Sequence, residues 1–289
     1  MTLLLLSLIL FACKEKALIE AFERDDLVEA EKLLKNGANP NFSEKYNVGP
    51  IMNRRGGCSS IFAAALVNDN LNFEKMQLLV KYGLNIKNFS TCNKKENILA
   101  GPVYWKKPKI LKLLLDHGAD VNYQDEKGYD ALGSAVVANN VEMVKILLQA
   151  GANPNLADNL GETAIFYALK NIDIFKMLLE AGADINHNVE QEVPPNINLL
   201  TQVDFFQEAL KYNIDLSYET PKTDPVYINY LHIALRKNAH FAIPHILKQH
   251  PEYFDEKSKG KTMVEYAKAK GCTLCIKPLE DFASKHRKP

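Results

Sequence analysis

Apolar and polar positions along this chain recur in blocks. Residues 141–155, VEMVKILLQAGANPN, set Val141, Val144, Leu147 and Leu148 on one helical stripe and then stop at a glycine, where a helix end needs a left-handed residue. The same stop recurs as NGANPN (36–41), YGLNIK (82–87), HGADVN (117–122), AGANPN (150–155), AGADIN (181–186) and YNIDLS (212–217). Each copy follows an amphipathic stretch ending in Leu-Leu or a close equivalent. Upstream lies a shorter apolar segment, introduced in the clearer copies by a glycine turn: Asp125-Glu126-Lys127-Gly128 before YDALGSAV, and Asp158-Asn159-Leu160-Gly161 before ETAIFYAL. One unit is therefore predicted as turn, short helix, longer helix.

The second residues of these stops are numbered 37, 83, 118, 151, 182 and 213, so the steps are 46, 35, 33, 31 and 31 residues. The short segments carry partial copies of one hexapeptide, T-P-L-H-x-A: Thr163 and Ala168 keep its ends, Leu231-His232-Ile233-Ala234 keeps its second half, and Thr262 and Ala267 again keep the ends. With a step near 33, this pattern resembles the ankyrin-repeat family, over residues 14 to about 283. The resemblance implies an all-α ankyrin-repeat solenoid of about seven helix-turn-helix repeats with short finger turns. A C-terminal unit from Gly260, ending in KPLEDFASKHRKP, supplies a polar cap. The sixth repeat, 187–217, is the least marked, because HNVEQEVPPNIN replaces a turn and a helix start. The long first step falls largely in FSEKYNVGPIMNRRGG, which predicts an enlarged finger; insertions in solenoids collect on one face, often the binding face.

The start of the chain obeys another pattern. Residues 1–12, MTLLLLSLILFA, are too few for a membrane span and suit the apolar core of an export signal. Leu10-Phe11-Ala12-Cys13 resembles the lipobox of bacterial lipoproteins, which implies cleavage before Cys13, its lipidation, and a mature solenoid over 13–289. Two features depart from that pattern: no Lys or Arg precedes the apolar run, and Phe11 is bulky. Lys14 after the cysteine implies, by resemblance to enterobacterial sorting, the outer membrane facing the periplasm. The alternative is an apolar structural helix packed on the first repeat, with Cys13 a buried thiol.

Charge narrows the partners. Lys plus Arg is 35 and Asp plus Glu is 35, so no net field attracts nucleic acid. Chemistry is sparse. Gly260-Lys261-Thr262 lacks the glycine that a phosphate loop needs five residues earlier, where Asp255 stands. Zincin, serine-hydrolase and dinucleotide fingerprints are absent from the sequence. His232 falls on the family's histidine, whose ring by resemblance hydrogen-bonds backbone between repeats. His240, His245 and His250 are expected on different faces of a short helix, so no metal is predicted, and no cofactor.

Setting Cys13 aside leaves four cysteines, which export would make disulfide candidates. Cys58 and Cys92 fall on the fingers of repeats two and three. Cys272 and Cys275 form a C-x-x-C without a thioredoxin-like context. Free structural thiols are the alternative for any of these.

By the same resemblance, a concave groove is built from finger turns and inner-helix ends. The fingers then offer Arg54, Arg55, Glu126, Lys127, Tyr129 and Glu162, and the inner-helix ends offer Tyr104, Trp105, Lys170, Arg236 and Lys237. Trp105, the single tryptophan, lies in GPVYWKKP, so packing over a proline-distorted helix is the alternative role for it. The expectation is a non-enzymatic protein-binding scaffold of the bacterial envelope, neutralising a partner in the manner of an immunity protein or supporting an envelope enzyme, with no small-molecule substrate. A cytoplasmic or host-directed ankyrin adaptor, and a C-x-x-C redox or metal protein, are the rival readings.

Overall fold

The computed structural model describes residues 14–45, 58–67, 72–87, 89–91, 94–95, 97–187, 198–217, 229–256 and 260–286. Residues 1–12 with the expected signal, Cys13, Arg54, Arg55 and Cys92 lie outside them. The chain divides into two compact units between Asn159 and Leu160.

In the first unit four helix pairs follow one another. They are residues 14–23 with Leu27–Lys35, Ile61–Val67 with Asn72–Lys81, Ala100–Tyr104 with Pro108–Asp116, and Ala131–Val137 with Val141–Gln149. From the second repeat to the fourth, each short inner helix packs on its own longer outer helix, and the inner helices of these three repeats pack on one another in succession. The outer helices pack on one another throughout. The second unit repeats the scheme with Ala164–Tyr167 and Ile172–Glu180, then Tyr230–Arg236 and Ile243–Gln249, then the terminal pair Met263–Ala269 and Thr273–His286. Between these lies the sixth repeat, in which helical Asn198 runs into a 3-10 turn, Leu199–Thr201, before the outer helix Val203–Ala209.

The helices start where the sequence provides acceptors. Asp130 accepts from the Gly133 amide at 2.7 Å, Asn140 from Met143 at 3.2 Å and Asn229 from His232 at 3.0 Å, while Thr262 and Glu265 form a capping box. The recurrent G-A-D-x-N stop has an equally local cause. Its Asp or Asn closes a turn on its own backbone, as Asp120 does with the Asn122 amide at 2.9 Å and Asp184 with the Asn186 amide at 2.9 Å. Its final Asn reaches forward to the next repeat. Asn41 accepts from the Asn85 amide at 2.6 Å and donates to the Gly83 carbonyl at 3.0 Å, and Asn186 treats the Asp215 amide and the Asn213 carbonyl alike, at 2.7 and 3.2 Å.

The core is apolar and continuous within each unit, with Phe22, Leu79, Leu114 and Leu147 buried in the first and Phe175, Phe206, Tyr230 and Leu279 in the second. One expected stripe is rotated. In Val141–Gln149 the buried residues are Met143, Val144, Ile146 and Leu147, while Val141 is exposed. An outer helix packs against its own inner helix and a neighbouring outer helix, so its apolar arc is wider than one face and begins past the first residue. A charged pair joins the first two repeats: fully buried Lys75 donates to Asp25.

Two fingers carry short antiparallel ladders. Ser43–Lys45 pairs with Cys58–Ser60 at the base of the enlarged finger, and Ser90–Thr91 with Lys94–Lys95 in the next. They join no sheet with the helices, and the fold stays all-α.

Candidate interaction face

The residues proposed from register now have places. In the third repeat the inner helix Ala100–Tyr104 contains Pro102, which sits in the first turn, where an amide would have no intrahelical acceptor. The helix is short, and the Trp105 amide closes it on the Gly101 carbonyl at 3.0 Å. Trp105 caps it and leans back over Gly101. A methyl at Gly101 would stand 3.3 Å from the indole Cζ3 and 2.8 Å from Leu66 Cδ1. The indole is thus held on one side and open on the other, with Trp105 42% exposed and Tyr104 77% exposed. Their rings meet edge to face at 5.5 Å.

Thirty-three positions after Tyr104 stands Val137, 60% exposed at the same point of the next inner helix. Register reasoning passed over Val137, although the period that picked out Tyr104 points directly at it. The equivalents Lys170 and Arg236 are exposed on the second unit, as is Lys237.

The finger of the fourth repeat is rigidly built. Asp125 accepts from the amides of Lys127 and Tyr129 at 2.8 and 2.9 Å, and Gly128 takes a φ of +79°. The following finger docks on it: the Asn159 amide donates to the Lys127 carbonyl at 3.1 Å and its side chain to the Glu126 carbonyl at 3.0 Å. Gln124 donates to both Gly128 and Ala157 carbonyls, at 2.7 and 2.8 Å. This holds Glu126, Lys127 and Tyr129 outward, Tyr129 being 47% exposed. Glu162, on the second unit, is engaged instead by the Tyr167 hydroxyl.

The histidines do not converge. His232 is buried, with Nδ1 donating to Asn229 Oδ1 at 2.7 Å inside its own repeat, and its ring lies edge-on to Tyr266. The Asn229 side-chain Nδ2 donates to the Glu256 carboxylate at 2.6 Å, which leaves Oδ1 as the acceptor facing His232. Burial lowers the His232 pKa to about 4. His245 lies near the Phe206 ring, where burial and Lys248 lower its pKa, and His250 stacks on Tyr253 and binds Glu252 at 2.9 Å. Among the described residues no cluster of His, Cys, Asp or Glu could hold a metal, and no helix is long and apolar enough to cross a membrane.

Cys272 and Cys275 are buried and joined as a disulfide, their Cα atoms 5.3 Å apart, at the start of the last helix. The strand that holds Cys58 lies beside Ser90–Thr91, immediately before Cys92.

Comparison with known proteins found the following similarities. Residues 103–189 match the family model described as ankyrin repeats, in three copies. An ankyrin repeat protein of fowlpox virus, FPV034, is 25% identical over 142 residues, which is 45% of this chain and 34% of the viral protein, so the chain spans about a third of that relative. The crystal structure of the human ASB11 ankyrin repeat domain superposes with a TM-score of 0.48 at 21% identity, covering 64% of this chain and 82% of that one. Helix pairing and turn chemistry define an all-α fold of stacked helix pairs within each unit, and residues 103–189 of it match ankyrin repeats.

Proposed function

We propose that the protein is a non-enzymatic scaffold that binds another protein through its finger turns and inner-helix ends. The observation that carries this reading is the exposure of Tyr104, Trp105, Tyr129 and Val137 on adjoining repeats of the first unit. Aromatic residues dominate interface energetics once water is excluded from them, and here Gly101 and the interlocked fingers hold them in place before any partner arrives. A photo-cross-linking amino acid at position 104, introduced in the native cells, is expected to give a discrete adduct with one protein. The same group at the outer-helix position Lys145 should not give it. No adduct from either position, or the same adducts from both, would refute the reading.

For location we propose lipid anchoring at Cys13 in the bacterial envelope, at the outer membrane facing the periplasm, with inhibition of a partner or support of an envelope enzyme as the role. One observation favours the cytoplasmic or host-directed adaptor instead. Helical residues are already present at Lys14, whose Nζ donates to the Asn36 carbonyl at 2.9 Å, and Glu15 accepts from the Asn39 amide at 3.1 Å. A lipid on Cys13 would therefore sit directly on the first repeat. The intact mass of the native protein separates the two: a triacylated product starting at Cys13 supports the anchor, and an unmodified Met1 supports the adaptor.

A further inference from the structure

The neutral total charge hides a strong segregation. Between residues 81 and 112 the chain carries eight lysines against one acid, Glu96, within a sequence that balances 35 bases with 35 acids. The stretch includes the third repeat's inner helix, while Lys81 ends the preceding outer helix, paired with Glu31 at 2.8 Å, and Lys109 and Lys112 stand on the third repeat's outer helix Pro108–Asp116. The strand Lys94–Lys95 forms its finger, Tyr104 and Trp105 end its inner helix, and Lys106 and Lys107 follow at once.

Lys106 occupies its position against local preference. It holds a left-handed φ of +53°, at the turn between inner and outer helix where the first, fourth and seventh repeats place Asp25 (+59°), Asn139 (+51°) and Asn238 (+56°). Asp and Asn enter this region readily, whereas a long side chain does so at a cost. Three repeats follow the backbone's preference, and the repeat bearing the exposed aromatics puts an exposed cation there instead. Nothing in the described packing uses that ammonium: no ion pair among the described residues involves Lys106.

We propose that the segment docked on this face belongs to a partner protein and is acidic, with one apolar or aromatic side chain anchored against Trp105 and Tyr104 and with a carboxylate reaching Lys106. This rests on the scaffold reading and names the chemistry of its partner. The anchor supplies affinity through burial beside a held indole, while the lysines select sign and make association salt-dependent.

Trp105 is the single tryptophan, so its emission reports this face alone. The test is selection of random dodecapeptides against the full chain, followed by fluorescence titration of the selected peptides. The expected result is enrichment of Asp and Glu around one apolar residue, a blue shift of the tryptophan emission on binding, and weaker binding at high salt. Lys106→Asn should weaken binding about three- to tenfold while leaving the thermal midpoint unchanged or raised, because Asn suits the left-handed turn. A merely structural lysine would move stability and not affinity. Peptides without acidic enrichment, peptides that leave the emission unchanged, full binding by Lys106→Asn, or a selection that yields no binder would each overturn the proposal. If position 104 still cross-links one protein in cells after such a result, the scaffold reading stands and only the partner chemistry falls. Absence of that adduct removes both.

Discussion

Gly128 lies where two fingers meet, and its replacement by alanine separates a backbone effect from a packing effect. At a φ of +79° a Cβ would stand 2.8 Å from both the Asn159 nitrogen and the Asp158 Cα, and neither backbone atom can rotate away. Gly151 has a similar φ of +86° and no atom within 4 Å of its would-be Cβ. Alanine in the left-handed region costs about 1–2 kcal/mol, less roughly 0.4–1 kcal/mol recovered through a stiffer unfolded chain. Gly151→Ala should therefore cost about 1 kcal/mol. Gly128→Ala bears the same term and also pushes the Asn159 finger away, weakening the bonds from Asn159 to the Lys127 and Glu126 carbonyls. At about 0.5–1.5 kcal/mol per bond, its total is about 2–4 kcal/mol. Urea unfolding followed by circular dichroism measures both variants. Because repeat arrays open in parts, amide exchange at Asn159 is the local check. Equal losses in the two variants, or unchanged exchange at Asn159 in Gly128→Ala, would refute the reasoning.

Other consequences are open to measurement. The neutral His232 ring is favoured by folding, since its pKa falls from 6.5 to about 4. The unfolded chain thus binds the extra proton, and the contribution of this group is complete above about pH 6.5 and lost as pH falls toward 4, by about 2–3 kcal/mol; the urea midpoint should follow that slope and flatten in His232→Gln. Asn186→Ala removes two bonds to the following turn and should cost about 1–3 kcal/mol, read as a lower unfolding midpoint. Asp25→Asn leaves the buried Lys75 ammonium without its counter-charge and should cost about 3–5 kcal/mol, whereas Lys75→Met should stay within about 1 kcal/mol of the parent. Thiol titration of the native protein in denaturant should find at least two fewer thiols without reductant than with it, as the Cys272–Cys275 bond requires.

Much of the architecture was legible because the recurrent stop is a local motif. Glycine ends the helix, Asp or Asn closes the turn beside it, and each does so with neighbours a few residues away. The inner-helix ends were legible for the same reason: the period that aligns Leu99, Leu132 and Leu231 also aligns exposed Tyr104 and Arg236. Where the period weakened, so did the reading. The buried face of Val141–Gln149 was set by a neighbouring outer helix that periodicity does not see.

The sequence by itself determined the repeat, the places where helices stop, and the positions that face outward, because each depends on contacts within about six residues or on a fixed period. Only the tertiary structure decided what those positions are worth. It placed Trp105 over Gly101, knit the finger of Asn159 to that of Gly128, confined His232 to a cap within its own repeat, and buried Lys75 against an aspartate fifty residues away. These arrangements depend on which repeat lies against which surface, and packing between repeats leaves no trace in the spacing along the chain.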